Sequence, residues 1–282
     1  MSFRPDPRLF PFGSRWLDSS VGRVHYIDEG QGRPILMLHG NPTWSFLYRG
    51  IVVRLRDRFR CIAVDYPGFG LSDHPDNYAY TPGEHAGVVG ELVAHLGLND
   101  LTLMGQDWGG PIAMRTAIDN VTRLRALVMG NTWYWPLDAW HMKAFSAGMS
   151  SGFMQRQILQ KNLFVNRIMP MAVKHRLQAE VLDHYRGVLP TPLSRVGVAE
   201  FPRQLTRAGD WLADVAHGVK TTLSNVPLQL VWGIHDMAFT PAFMDRFRAD
   251  FSQVRVTRLD AKHYIQEDSP AEISDAIATF LT

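Results

Sequence analysis

The sequence has almost no cysteine and no excess of charge of either sign. Cys61 is the single cysteine among 282 residues, so no disulfide can form within the chain, and the apolar segment around it predicts a buried thiol. The formal net charge of +2 provides neither a basic stripe nor an acidic tail. We therefore expect no nucleic-acid partner.

Long apolar segments are also missing. The opening MSFRPDPRLF lacks the apolar core of a signal peptide, and no later run is long enough to cross a bilayer. We expect a soluble, cytoplasmic protein that does not act at a membrane.

Short apolar runs rich in β-formers are present throughout the chain. An opening hairpin, with its turn near residues 19–22, precedes six runs: PILMLHG, RCIAVD, LTLMG, LRALVMG, PLQLVWG and VRVTRLD. Their nearly continuous apolar character is typical of strands buried on both faces of a parallel sheet. Helical segments lie between them, so the sequence predicts an α/β protein with a mostly parallel, doubly wound sheet.

Three helix starts can be identified from local signals. Thr81-Pro82-Gly83-Glu84 is a capping box that opens a helix to about Gly97. Ser269-Pro270-Ala271-Glu272 has the same pattern for the last helix, and Thr240-Pro241 indicates another helix start.

The alternation of strands and helices breaks between residues 133 and 222. This stretch contains no convincing strand but many methionines and the tryptophans Trp133, Trp135, Trp140 and Trp211. An insertion at the carboxyl edge of a sheet would lie over the crevice where α/β proteins bind ligands. We expect a helical cap of residues 133–222 on a core of residues 1–132 and 223–282. Most of these large side chains are then cap core that also forms the pocket roof.

The segment Gly105-Gln106-Asp107-Trp108-Gly109 has the spacing of a nucleophile elbow, with Asp107 at its apex. Small residues are needed there because the turn is tight and the following helix packs closely on the strand. Taken alone, the pentapeptide is equally compatible with an ordinary solvated aspartate. Its position between a strand and a helix favours a catalytic group.

Asp236 and His263 each follow a later strand, in GIHD and AKHYIQED. The order nucleophile, acid, histidine is that of an α/β-hydrolase triad. Alone, Asp236 could be a turn residue and His263 one loop histidine of eleven. Together, at the ends of strands and in this order, they predict a catalytic triad with Asp107, and the neighbouring His235 fits the late loop position less well.

The segment His39-Gly40-Asn41-Pro42 follows the strand PILML. It is either a simple Gly-Pro turn or the loop that supplies the second backbone N–H of an oxyanion hole. In the second interpretation Asn41 also offers a side-chain amide to a ligand.

With these motifs in order, the chain resembles the haloalkane dehalogenases of the α/β-hydrolase fold. The segments HGNPTWSFLYR, DYPGFGLSD, GQDWGGPIA, GIHDMAF and KHYIQED carry the resemblance along nearly the whole chain. It implies that Asp107 is the nucleophile, His263 the base and Asp236 its partner. It also implies that Asn41 and Trp108 bind the departing halide and supply the oxyanion-hole N–H groups.

The position of the acid separates subfamilies of these enzymes. One subfamily has a glutamate after the sixth strand, but here that strand ends in VMGNTW, with Asn131 and no carboxylate before Asp138. Asp236 after the seventh strand, with an Asn–Trp halide pair, resembles the third subfamily. Its members tend to self-associate, so the resemblance implies a possible homo-oligomer.

The implied reaction requires no metal and no cofactor. A carboxylate is already ionised near neutral pH and can displace a halide from a saturated carbon, whereas a serine must first lose its proton. His263 then activates water against the alkyl ester on Asp107. The expected partners are a halogenated alkane, water and the halide product.

Other functions fit parts of the same pattern. Epoxide hydrolases share the fold, aspartate and histidine, and protonate their leaving group with cap tyrosines, for which Tyr134 and Tyr185 are candidates. Fluoroacetate dehalogenases need arginines that DYPGFGLS lacks. A non-catalytic scaffold typically loses a triad member, whereas this sequence retains all three.

Overall fold

The computed structural model describes residues 3–282, and a single eight-stranded sheet organises them. In chain order the strands are β1 Arg15–Ser19, β2 Gly22–Glu29, β3 Pro34–Leu38, β4 Arg60–Val64, β5 Leu101–Gln106, β6 Leu124–Gly130, β7 Leu228–Gly233 and β8 Val254–Leu259. Across the sheet their order is β1-β2-β4-β3-β5-β6-β7-β8. Only the β1–β2 and β2–β4 pairs are antiparallel, so the predicted mostly parallel sheet is confirmed.

Burial along the strands follows their position in the sheet. Every residue of β3, β5 and β7 is buried, because helices cover both faces of the sheet. Cys61 in β4 is also buried, as predicted. β8 is only partly buried because it forms one edge of the sheet, so the expectation of complete burial was wrong for this strand.

Twelve α-helical segments lie within residues 3–282. They are α1 Arg49–Leu55, α2 Pro82–His95, α3 Gly109–Asp119, α4 Trp140–Ser150, α5 Gly152–Lys161, α6 Met169–Met171, α7 Ala179–Gly187, α8 Val196–Arg207, α9 Gly209–Gly218, α10 Phe243–Asp250, α11 Ile265–Asp268 and α12 Pro270–Leu281. No helix of this range is long and apolar enough to span a membrane.

The helix starts agree with the sequence signals to different degrees. At α2, Thr81 and Glu84 form the predicted capping box, with hydrogen bonds of 3.2 and 3.0 Å. At α12 the helix begins at Pro270, but the Ser269 side chain makes no cap because α11 ends directly before it. Pro241 initiates a turn, and α10 starts two residues later, at Phe243.

The chain between β6 and β7 forms α4 to α9 without any strand. This helical insertion lies where the sequence predicted a cap. The exact division at residues 133 and 222 stays a prediction.

Parallel strands place the polar loop residues together. β3, β5, β6, β7 and β8 run in the same direction, so the loops that follow them meet at one edge of the sheet. Those loops carry Asn41, Asp107, Asn131, Asp236 and His263.

Candidate active site

Asp107 occupies the sharp turn between β5 and α3. Its φ of +53° lies in the left-handed region, which non-glycine residues rarely adopt outside turns and functional sites. The Asp107 amide donates to the Asn131 carbonyl at 3.1 Å, and the Thr132 hydroxyl donates to the Asp107 carbonyl at 2.6 Å. A Cβ on Gly109 would lie 1.9 Å from the Leu38 carbonyl oxygen, so the helix can approach β3 only with glycine there.

His263 lies between the carboxylates of Asp107 and Asp236. Its Nδ1 is 2.9 Å from Asp236 Oδ2, and its Nε2 is 3.6 Å from Asp107 Oδ2. In the neutral ring, Nδ1–H donates to the Asp236 carboxylate, which leaves the Nε2 lone pair directed towards the Asp107 side. The structure thus brings together the three side chains that the sequence selected.

Burial and charge shift the pKa values of Asp107 and His263 upwards. Burial raises the pKa of Asp107, although His263 and the backbone N–H groups of Asn41 and Trp108 oppose that rise. For His263, burial lowers the pKa, but the charge and hydrogen bond of Asp236 and the charge of Asp107 together raise it above its ordinary value. The imidazolium form is therefore stabilised beside the two carboxylates.

Asn131 supports Asp236 from the end of β6. Its Nδ2 donates to Asp236 Oδ2 at 2.9 Å and to the Gly233 carbonyl at 3.1 Å, and its Oδ1 accepts from the Gly233 amide at 2.7 Å. The Ala238 amide donates to Asp236 Oδ1 at 2.7 Å. Burial by itself raises the pKa of Asp236, but His263 and these hydrogen bonds lower it overall.

Asn41 contacts both Asp107 and the insertion. Its backbone N–H donates to Asp107 Oδ1 at 2.8 Å, and its side-chain Nδ2 donates to the Val198 carbonyl at 3.1 Å. Val198 lies in α8, four residues before Pro202. Because proline has no N–H, the helix cannot provide the usual donor for this carbonyl. One hydrogen of the Asn41 side-chain amide donates to this carbonyl instead, and the second can be donated to another acceptor.

Trp108 follows Asp107 in the chain and is held by aromatic packing. Its ring stacks on Phe201 with centroids 5.3 Å apart and meets Trp133 edge-on at 4.7 Å. The side chains of Trp108 and Asn41 both line the cavity that contains Asp107.

Gln106 contacts His263 directly. It is fully buried at the end of β5, and its Nε2 lies 3.2 Å from His263 Nε2 and donates to the His263 carbonyl at 3.1 Å. Its Oε1 is buried without a hydrogen-bond partner. Both contacts of its amide nitrogen are thus made to His263.

The cavity has a volume of about 310 Å³ and is mainly apolar. The core contributes Asn41, Asp107, Trp108, Phe239 and His263, and the insertion contributes Met142, Phe164, Ile168, Pro202 and Leu205. The insertion therefore covers the carboxylate and excludes bulk water from most of its surroundings.

Comparison with known proteins agrees with this geometry. The family model for the α/β-hydrolase fold matches residues 33–270. The chain is 53% identical over 279 residues to haloalkane dehalogenase 2 of Mycobacterium tuberculosis, and the match covers 98% of each chain. It belongs to the haloalkane dehalogenase family.

Two further proteins, one similar in structure and one in sequence, extend this comparison. The crystal structure of a haloalkane dehalogenase from Agrobacterium tumefaciens C58 superposes with a TM-score of 0.89 at 26% identity, covering 98% of this chain and 99% of the other. A cis-3-alkyl-4-alkyloxetan-2-one decarboxylase of Xanthomonas campestris pv. campestris is 32% identical over 302 residues, covering 96% and 97% of the two chains.

The two tyrosines that could protonate the leaving group of an epoxide, Tyr134 and Tyr185, do not line the cavity. Tyr134 and Tyr185 are both fully buried and donate to carboxylates, Tyr134 to Asp250 at 2.7 Å and Tyr185 to Glu267. Neither lines the cavity around Asp107.

Several residues around the dehalogenase site have no clear signal in the sequence. In the sequence, Asn131 is distinguished only by not being a carboxylate, and Gln106 is only the spacer between Gly105 and Asp107 in the elbow. Tyr264, which donates to the Asn41 carbonyl at 3.0 Å, was not selected at all. His235 is half-exposed and pairs with Asp260 at 2.9 Å, so its side chain is directed away from the triad's hydrogen bonds.

Proposed function

We propose that this chain hydrolyses the carbon–halogen bond of haloalkanes, giving an alcohol and a halide. The observation that carries the proposal is the Asp107 carboxylate, which faces His263 in an apolar cavity that also contains the N–H donors of Asn41 and Trp108. The activity named for the Mycobacterium relative supports the same reaction.

In the first step Asp107 Oδ2 attacks the halogen-bearing carbon. The new carbon–oxygen bond forms as the carbon–halogen bond breaks, and the halide departs with the bonding pair. No proton is needed by this leaving group. The Trp108 indole N–H and the second amide hydrogen of Asn41 stabilise the halide, because neither donor can lose its proton to it.

In the second step His263 Nε2 takes a proton from water, and the resulting hydroxide attacks the Asp107 carboxyl carbon. The oxyanion develops on Oδ1, which already accepts the Asn41 backbone N–H at 2.8 Å. The alcohol leaves with the proton returned from His263. The Asp107 carboxyl group then releases the second proton of the water to solvent, which regenerates the carboxylate. Asp236 stabilises the imidazolium between these transfers.

An epoxide substrate fits the site less well. Its leaving oxygen requires a proton, and the two candidate cap tyrosines are occupied by Asp250 and Glu267. Bromoalkanes should therefore be turned over in preference to epoxides.

The decisive experiment separates the two steps with His263→Phe and a 1-bromoalkane. Without the base, the enzyme should release one halide and stop, and intact mass spectrometry should show one added alkyl group in place of a proton. Peptide mapping should place the group on Asp107. The matched variant Asp107→Asn should show neither halide burst nor added mass. An adduct on another residue would overturn the nucleophile assignment, and an adduct formed only from epoxides would identify an epoxide hydrolase.

We also infer a homo-oligomer from the resemblance to the third subfamily. Size-exclusion chromatography with light scattering tests this inference, since a monomer at all concentrations would contradict it.

A further inference from the structure

The mouth of the active-site cavity is formed by large apolar side chains that are open to solvent. Phe145 of α4, Met171 of α6 and Met237 after β7 are 47%, 74% and 95% exposed, yet all three line the cavity. We call these three the mouth residues. They continue the apolar wall of the cavity onto the outer surface.

The polar groups at the same opening are already paired with other protein groups. His235 Nε2 lies 2.9 Å from Asp260 Oδ1, and the Lys262 ammonium donates to the Met171 carbonyl at 3.0 Å. The mouth residues instead offer apolar surface. Two of the three are methionines, whose unbranched side chains adapt to different ligand shapes.

Exposed apolar side chains next to a cavity usually mark part of a binding site. We propose that the preferred substrate is a haloalkane with an unbranched apolar chain long enough to reach the opening of the cavity, and that the outer part of this chain lies across the mouth residues. The proposal rests on the proposed function and adds to it the substrate class.

The mouth residues line the outer end of this cavity of about 310 Å³, so the outer carbons of a long chain contact them and stay partly open to solvent. Each methylene that is fully removed from water contributes up to about fourfold in binding, and one that is half-covered contributes about twofold. The value of kcat/KM should therefore keep rising with chain length after the cavity is filled, with a smaller increment per carbon.

The test is a series from 1-bromobutane to 1-bromododecane, assayed by halide release below the concentrations at which the longer compounds aggregate. We expect kcat/KM to increase along the series for the unchanged protein. Met237→Ser and Met171→Ser should each lower the ratio of kcat/KM for the longest over the shortest substrate by several-fold. Phe153→Ser is the matched control, since Phe153 is 71% exposed on α5 but does not line the cavity.

A decline of kcat/KM beyond short chains would overturn the proposal, as would equal ratios in the mouth variants and the control. If Met237→Ser instead changes the oligomeric state in size-exclusion chromatography, the mouth is covered by a second copy and the proposal is wrong. Calorimetric binding of the corresponding 1-alkanols needs no turnover. If no bromoalkane is hydrolysed, the proposed reaction fails, while alkanol affinity that rises with length and falls in Met237→Ser still supports the apolar chain site.

Discussion

Asn41 and Val198 are joined by a hydrogen bond of 3.1 Å that connects the loop after β3 to helix α8 of the insertion. The acceptor is available because Pro202 removes the helix donor that would otherwise occupy it. The helix hydrogen bond that α8 lacks at Pro202 is thus replaced by one from the Asn41 side chain, and this bond orients the Asn41 amide in the site. The proposed halide donor thus depends on a backbone carbonyl of the insertion, that of Val198.

Replacing Asn41 by alanine removes the side-chain donor but keeps the backbone N–H to Asp107. Loss of one preorganised donor typically lowers turnover by roughly 10²- to 10³-fold. We expect Asn41→Ala to show this loss and a weaker halide quench of tryptophan fluorescence. Asn99→Ala, at an exposed asparagine, is the control. Unchanged turnover and halide affinity would mean that the second halide donor lies elsewhere.

Replacing Pro202 by alanine returns an N–H to the interior of α8. The helix should become more stable, because proline costs up to ~3 kcal/mol relative to alanine inside a helix. The Val198 carbonyl then has a donor within its helix, and Asn41 loses its anchor. We expect a higher Tm together with lower turnover and weaker halide binding.

A double-mutant cycle separates this effect from the loss of the proline ring in the cavity. Pro202→Ala should matter much less when Asn41 is already alanine, since the two residues act through one hydrogen bond. Additive losses in the double variant would show that Pro202 acts independently of Asn41.

Asp236→Asn should keep the fold but lose the charge that stabilises the imidazolium. We expect hydrolysis to slow by up to roughly 10⁴-fold, as for the equivalent change in a serine protease, while alkylation of Asp107 remains. The alkyl-enzyme should accumulate in rapid-quench mass spectrometry. Asp138→Asn is a matched control, because Asp138 is exposed and pairs only with Lys143 among residues 3–282. Normal steady-state turnover of Asp236→Asn would require another acid.

Asn131→Leu should affect both stability and the acid. It removes two donors and one acceptor and leaves the buried Gly233 amide without its partner, at a cost of about 1–3 kcal/mol for that group alone. Asp236 also loses a hydrogen bond that lowers its pKa. We expect a clearly lower free energy of unfolding in urea, and an acid form of Asp236 that appears at higher pH. A variant as stable as the original protein would contradict the bridging role.

The raised pKa of His263 predicts how the two steps depend on pH. In the free protein the charges of Asp236 and Asp107 raise the pKa of His263 above its ordinary value. The base works only when neutral, so hydrolysis should fall as the pH drops through the pKa that His263 has in the alkyl-enzyme. Alkylation needs only ionised Asp107. Once Asp107 is an ester, one of the charges that raise the pKa of His263 is gone, and that pKa falls, which favours the neutral base.

Quench-flow measurements of halide release test this difference. As the pH is lowered through the acidic limb of steady-state turnover, the slow step becomes hydrolysis, and the burst of halide should approach one per enzyme. A burst that shrinks in parallel with steady-state turnover would indicate that alkylation and hydrolysis share the same titrating group.

Local sequence patterns predicted the parts of this protein that neighbouring residues determine. Gly105 of the elbow is required locally, because a Cβ there would lie 2.4 Å from the carbonyl oxygen of Gly109, four positions later. The cap of α2 forms because Thr81 and Glu84 are one turn apart. The same pattern at Ser269 produced no cap, because the preceding helix determines the backbone conformation there.

The order of strands also allowed the sequence to place Asp107, Asp236 and His263 at one sheet edge, because parallel strands end on the same side. Only the tertiary structure showed what supports them. Gln106 and His263 are 157 positions apart, as are Asn41 and Val198, and Asn131 and Asp236 are 105 apart. Such contacts depend on how the sheet and the insertion pack, and side-chain hydrogen bonds over these separations have no periodicity or spacing that the sequence could display.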